Sequence, residues 1–183
     1  VARRNADYRS EAALFAATAA KRPGNVFAHY NLGKALAESG DPARAIAAYQ
    51  AAVRLVPEMA AAHYNLGNAF AALGRHQEAA DHFARTLALE PRHAPAHYNL
   101  GNSLVALGRR LPAREQFAAA LEIQPDFVDA RANLAGVLLE LGELDEAAAQ
   151  LAEVLRRDPR SASARFNLAQ VHRARGRHAE AWA

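Results

Sequence analysis

The chain has 183 residues, no cysteine and a formal net charge of +3. The lack of cysteine excludes disulfides, thiolate metal ligands and cysteine nucleophiles. No stretch approaches the roughly 20 consecutive apolar residues of a membrane span, so we expect a soluble protein without a membrane partner. The opening Val-Ala-Arg-Arg is not a signal peptide, and we expect a cytoplasmic location.

The positive charge does not form a stripe along the chain. Residues 26–59, 60–93 and 94–127 each carry three basic and three acidic side chains, whereas residues 128–161 carry four basic and seven acidic ones. The excess of positive charge lies in the two terminal segments. Nucleic-acid binders need a continuous basic surface, so we expect no nucleic-acid partner.

The same residue types return every 34 positions, which is typical of a tandem array. Prolines set the interval at Pro23, Pro57, Pro91, Pro125 and Pro159. One glycine column holds Gly40, Gly74, Gly108, Gly142 and Gly176. One asparagine column holds Asn31, Asn65, Asn99, Asn133 and Asn167. A column of small residues holds Gly33, Gly67, Gly101, Ala135 and Ala169.

In chain order, the first predicted element is a helix over residues 7–23, the second helix of an incomplete repeat. Each later unit is predicted as helix, tight turn, helix and stop, because apolar residues recur at helical spacing on both sides of a glycine. In the first full unit Gly40 can take the positive φ that ends a helix, and Asp41 with Pro42 can begin the next one. The small residue Gly33 is expected to let the two helices approach closely.

The predicted units are 1–25 (partial), 26–59, 60–93, 94–127, 128–161 and 162–183 (partial), all in one solenoid domain. Terminal units of such arrays normally carry a polar cap. Here the last turn presents Ala179, Ala181 and Trp182. We therefore expect a fragment of a longer protein, or ends that another chain covers.

Residues 64–70, Tyr-Asn-Leu-Gly-Asn-Ala-Phe, followed by Gly74, Ala79, Phe83 and Pro91, resemble a tetratricopeptide repeat almost residue for residue. The resemblance extends over nearly the whole chain. It implies an all-α fold, a right-handed α-solenoid of helix-turn-helix units that binds other proteins. One column departs from the family pattern, with His or Arg where a large apolar residue is usual: His29, His63, His97, Arg131 and Arg165.

An asparagine sits in the middle of every predicted first helix, although asparagine is a poor helix former. In one interpretation each amide bonds to the neighbouring repeat and fixes the superhelix. In the other the amides line an inner, concave surface and hold the main chain of an extended peptide. Three residues of extended chain span about 10 Å, close to the separation of packed helices, about 8–10 Å.

Arrays with this asparagine ladder resemble the repeat region of O-linked N-acetylglucosamine transferases and related bacterial proteins, which implies recognition of peptide backbone. Residues one position before and three after each asparagine belong on the same side of the helix. The predicted peptide-binding residues are Tyr30, Asn31, Lys34, Tyr64, Asn65, Asn68, Tyr98, Asn99, Asn102, Asn133, Asn167 and Gln170. Because Lys34 is the one basic residue in this mostly neutral groove, an acidic C-terminal tail is not the expected ligand.

Nothing in the chain indicates catalysis. No serine lies in a nucleophile elbow, and no phosphate-binding loop is present, so we expect no enzyme activity, catalytic residue or cofactor in this segment. His29, His63 and His97 recur one per repeat, and one ion could at best be shared by two neighbours. We expect no metal site there, and predict that these histidines pack in the helix interface.

The sequence therefore predicts a scaffold that binds a protein or peptide partner as an extended segment. Two alternatives stay open. The array could be the substrate-recognition region of a larger bacterial glycosyltransferase or sulfotransferase with its catalytic domain beyond Ala183. It could also self-associate, with the half-repeats at opposite ends stacking head to tail.

Overall fold

The computed structural model describes the backbone of residues 2–176 and the side chains of residues 11–176. The described part of the chain is entirely helical, without a β-strand. It contains ten α-helices: α1 Ala2–Lys21, α2 Val26–Glu38, α3 Pro42–Leu55, α4 Ala60–Ala72, α5 His76–Leu89, α6 Ala94–Ala106, α7 Arg110–Ile123, α8 Val128–Leu141, α9 Leu144–Arg157 and α10 Ala162–Ala174.

These helices belong to two compact units, one with α1–α5 up to Pro91 and the other with α6–α10 from Arg92. Within each unit every helix packs against the next one in the chain. First helices of successive repeats also touch, α2 against α4 in one unit and α6 against α8 in the other. Each unit is therefore a succession of helical hairpins whose first helices share a surface.

The turn within each hairpin follows the predicted chemistry. Gly40 has φ of +86°, and the glycines at the same position of the other repeats have φ of +72° to +78°. In the first full repeat the Asp41 N–H donates to the Leu36 carbonyl (2.9 Å), and the Asp41 side chain accepts from the Arg44 N–H (3.1 Å). The turn thus provides hydrogen-bond partners for a backbone carbonyl at the end of α2 and a backbone N–H at the start of α3.

Close contact between a glycine and an aromatic ring sets the spacing inside the hairpins that carry Gly33, Gly67 and Gly101. A Cβ placed on Gly67 would lie 2.5 Å from the ring of Phe83, and one on Gly101 would lie 2.6 Å from the ring of Phe117. Both rings are fully buried. Burial of each ring stabilises the fold by about 1.5–3 kcal/mol. The predicted close approach of the two helices at the small residue is confirmed.

The first helix differs from its prediction. It begins at Ala2 instead of Asp7 and ends at Lys21, two residues before Pro23. Its early start is consistent with the absence of glycine and proline between residues 2 and 7, and its early end with the restraint that Pro23 places on the preceding residue. The residues Ala179, Ala181 and Trp182, on which the expectation of an uncapped end rests, lie outside the described residues. None of the described helices is both long and apolar enough to cross a membrane.

We predict that Gly67→Ala lowers the free energy of unfolding by about 1–3 kcal/mol, because the added methyl overlaps the fully buried ring of Phe83. Urea unfolding followed by far-ultraviolet circular dichroism measures the change.

Gly136→Ala is the matched control. Gly136 lies within α8, and no atom beyond the local helix lies within 4 Å of the position of its Cβ. Alanine there should stabilise the protein by about 1 kcal/mol, since glycine is the poorer helix former. Equal effects of the two substitutions would contradict the role of the glycine–aromatic contact.

Candidate functional site

The structure places the twelve predicted peptide-binding residues on the first helices of the repeats. In the first unit they lie on α2 and α4, and in the second on α6, α8 and α10. All five asparagines of the ladder are half-buried, and Lys34 is exposed. The predicted residues thus lie on the helices that touch one another within each unit.

In the first unit the structure joins the asparagine of one repeat to the tyrosine of the repeat before it. Asn65 Nδ2 on α4 donates a hydrogen bond to Tyr30 Oη on α2 (3.1 Å). The Tyr30 ring also packs on Tyr49 of α3, with ring centroids 5.9 Å apart. The asparagine is therefore held by a tyrosine that is itself held by the second helix of the hairpin.

A cavity of about 360 Å³ opens beside this contact. Lys34, Asn65 and Asn68 line it together with two residues that the sequence analysis missed, Glu38 and Tyr49, and alanines supply much of the remaining wall. Burial raises the pKa of the Tyr49 hydroxyl, and Tyr30 and Glu38 raise it further. A tyrosine hydroxyl is neutral at physiological pH, and the raised pKa keeps it protonated at higher pH as well, so Tyr49 in the cavity wall stays a hydrogen-bond donor.

Glu38 could have been found from the sequence, because it lies one helical turn after Lys34. Tyr49 could not, since it comes from the second helix of the hairpin and reaches the cavity only through tertiary packing.

In the second unit a similar link joins three predicted residues. Asn133 Nδ2 on α8 donates to Asn102 Oδ1 on α6 (2.7 Å) and lies 3.5 Å from Tyr98 Oη. Tyr98 packs on Phe117 of α7 and on Phe127, with centroids 6.0 Å and 4.8 Å apart. The asparagine bridge between repeats is thus present in both units.

Further predicted residues make contacts of their own. Tyr64 packs on Phe83, with ring centroids 5.9 Å apart. The backbone carbonyl of Asn99 accepts from the Ser103 hydroxyl (2.9 Å). Gln170 accepts a hydrogen bond from Arg173. Asn31 and Asn167 are half-buried on α2 and α10.

The column of His and Arg residues forms a polar contact that the sequence analysis only partly anticipated. Three of its members bind the carbonyl oxygen of the proline six residues earlier: His29 Nε2 at 2.9 Å, His63 Nε2 at 3.0 Å and Arg131 at 2.7 Å. These contacts supply a donor to a carbonyl two residues beyond the end of the preceding helix. The predicted place of these histidines in the helix interface is confirmed for His63, whose side chain is buried.

The same column also contacts the second helix of its own repeat, nineteen residues later. His97 Nδ1 lies 2.8 Å from Gln116 Oε1, and Arg131 donates to Gln150 Oε1 (2.7 Å). In the third pair the partner of His63 is His82, with the two Nδ1 atoms 3.0 Å apart. Burial lowers the pKa of His82, and the nearby His63 lowers it further.

Sequence models of the tetratricopeptide repeat match residues 1–57, 30–97, 94–127, 112–158 and 137–183. No curated protein matched the chain. Many solved structures are similar. YrrB, described as a tetratricopeptide repeat protein with an unusual peptide-binding site, is 27% identical with a TM-score of 0.84, and the alignment covers 91% of this chain and 86% of YrrB.

MamA is 28% identical with a TM-score of 0.82, over 87% of this chain and 94% of MamA. A tetratricopeptide repeat protein from Parabacteroides merdae is 23% identical with a TM-score of 0.80, over 97% of this chain and 70% of the other, and shows the fold alone. The prediction of an all-α solenoid fold is confirmed by these similarities and by the helical hairpins. Because the matched segments together span the whole sequence, the chain belongs to the tetratricopeptide repeat family.

Proposed function

We propose that this protein is an interaction scaffold that holds an extended segment of a partner protein along the first helices of a unit. Tetratricopeptide repeat arrays are protein-interaction scaffolds in general. For this chain we propose in addition how the partner is bound. The asparagine ladder is its proposed centre, with the amides contacting the main chain of the partner.

The orientation of the Asn65 amide is the main support for this proposal. Its nitrogen donates to Tyr30, and among the described residues its Oδ1 accepts no hydrogen bond. An amide nitrogen carries two hydrogens, so one donor and one acceptor of Asn65 are left for a ligand. A peptide group offers one N–H and one carbonyl, which is the complementary pair.

Asn133 has a similar arrangement in the second unit. Its nitrogen is directed at Asn102 and Tyr98, and its Oδ1 accepts no hydrogen bond from the described residues. The bridge to the preceding repeat therefore holds the amide in one orientation without using its oxygen. A side chain that is already ordered loses little conformational entropy on binding, which favours affinity.

The chemistry of the surface favours a segment of low charge. Tyrosine hydroxyls and carboxamides predominate among the twelve residues, and Lys34 is the one charged member. Lys34 and Glu38 lie one turn apart at the 360 Å³ cavity, so their opposite charges offset each other there. The cavity is large enough for a side chain of the bound segment.

The similarity to YrrB also supports peptide binding, because that protein is described as having a peptide-binding site. The two alternatives stay predictions: the substrate-recognition region of a larger glycosyltransferase or sulfotransferase, and head-to-tail self-association.

Replacing Asn65, Asn99 and Asn133 together by alanine tests the ladder. Peptides selected from a random 12-residue phage-displayed library against the wild-type protein serve as probes, and fluorescence anisotropy measures their affinity. We expect the triple variant to bind roughly ten-fold more weakly or worse, since each lost contact with a peptide group contributes about 0.5–1.5 kcal/mol.

Gln50→Ala is the control, because it removes an exposed carboxamide from the second helix α3 rather than from the ladder. Its affinity should equal that of the wild type. Affinity for the selected peptides that is unchanged in a folded triple variant would overturn the proposed binding mode.

A double-mutant cycle on Tyr30→Phe and Asn65→Ala tests the bridge itself. The phenylalanine keeps the ring against Tyr49 and removes the hydroxyl that Asn65 donates to. We expect a coupling energy of about 0.5–1.5 kcal/mol in urea unfolding, the net value of one hydrogen bond. Strictly additive effects would show that the amide contributes no bridge in solution.

A further inference from the structure

Two histidines face each other between α4 and α5. His63 Nδ1 lies 3.0 Å from His82 Nδ1, and the ring centroids are 5.3 Å apart. The equivalent partners in the other three full repeats are Ala48, Gln116 and Gln150. The pair of imidazoles is therefore particular to this repeat and is not needed to build the fold.

The hydrogen bonds of His63 determine where its proton lies. His63 Nε2 is 3.0 Å from the carbonyl oxygen of Pro57, which can only accept, so Nε2 carries the hydrogen. In the neutral ring Nδ1 then holds a lone pair directed at His82. This is the usual arrangement of a metal-binding histidine, whose second nitrogen donates to a backbone carbonyl and so fixes the ring.

The distance between the two Nδ1 atoms suits two ligands of one ion. Zinc–nitrogen bonds of about 2.0–2.1 Å at a tetrahedral angle place two ligand nitrogens about 3.3 Å apart. The pair has to open by only a few tenths of an ångström from its present separation. For His82 to coordinate through Nδ1, its ring proton moves to Nε2 through solvent, and the ring stays neutral with no net loss of a proton.

We propose that His63 and His82 form a two-histidine site for an exchangeable divalent transition-metal ion of the Zn²⁺ class, with water in the other coordination positions. Imidazole is a preferred ligand for zinc, copper and nickel. His82 is half-buried, which leaves one side of the pair open to water, and its ring stacks on Phe70 with centroids 5.4 Å apart.

The surroundings of the pair explain why we infer an exchangeable ion and not a structural one. The nearest carboxylates on α5 are those of Glu78 and Asp81, and both bind other side chains: Glu78 binds Arg75 (2.7 Å), and Asp81 binds Gln77 (2.9 Å). The described residues contain no cluster of three or more His, Asp or Glu side chains able to hold a metal. An ion shared between histidines of successive repeats, the kind that the sequence raised, is a different case, because His63 and His82 lie within one repeat.

His82→Gln tests the site, because it recreates the His97–Gln116 pair that the protein already contains. Isothermal titration with ZnCl₂ at pH 7.5 in a non-coordinating buffer measures affinity. We expect one Zn²⁺ per wild-type chain and binding weaker by roughly ten-fold or more in His82→Gln, since even a lost outer-shell partner costs about 10–100-fold. His29→Gln, which removes a histidine opposite Ala48, should bind as the wild type does.

Thermal melting and NMR of the wild-type protein give independent readouts. An ion that binds only the folded state raises the melting temperature, and the rise should be absent in His82→Gln. The ring signals of His63 and His82 should shift first and together as Zn²⁺ is added. Equal affinities of wild type and His82→Gln, no binding by the wild type, or first shifts at other histidines would overturn the proposal.

Discussion

In three successive repeats, the contact between a helix backbone and an aromatic ring is the constraint on which the rest of the repeat depends. Gly33, Gly67 and Gly101 leave room for Tyr49, Phe83 and Phe117, and any Cβ at those glycines would overlap a ring. The same rings support the tyrosines that precede the ladder asparagines, with centroid distances of 5.9–6.0 Å. A requirement of packing inside the hairpin therefore determines where the candidate binding residues lie.

The polar column of His and Arg residues shows how a repeat can change its chemistry without changing its fold. Its contact with the proline carbonyl gives a hydrogen-bond donor to a backbone oxygen in the loop between repeats. Its second contact, nineteen residues later, varies from Gln116 and Gln150 to His82. The proline, glycine and small-residue columns vary little between repeats, because they serve the turns and the packing. Differences in ligand chemistry between repeats therefore arise at variable positions such as this one.

The asparagine ladder illustrates the limit of reading a helix from its sequence. An asparagine in the middle of a helix lowers helix stability, so its recurrence needs an explanation. The two interpretations, a bridge between repeats and a contact with a ligand, involve the same residues. The structure shows the bridge at Asn65 and Asn133, and it leaves the amide oxygens of both without a partner among the described residues. The two roles are therefore compatible, because the amide has a donor end and an acceptor end.

Sequence alone determined the 34-residue period, the helix pairs, the turn glycines and the small residues at the helix contact, since these follow from interactions within a few residues and from the steric demands of φ. It placed the start of α1 five residues late and could not identify Tyr49 at the cavity or His82 beside His63. Contacts between helices join residues that are 19 to 35 positions apart in the sequence, as in His63–His82 and Asn65–Tyr30. Only the tertiary structure decided them, because they depend on how one helix is rotated and placed against another, which no local pattern specifies.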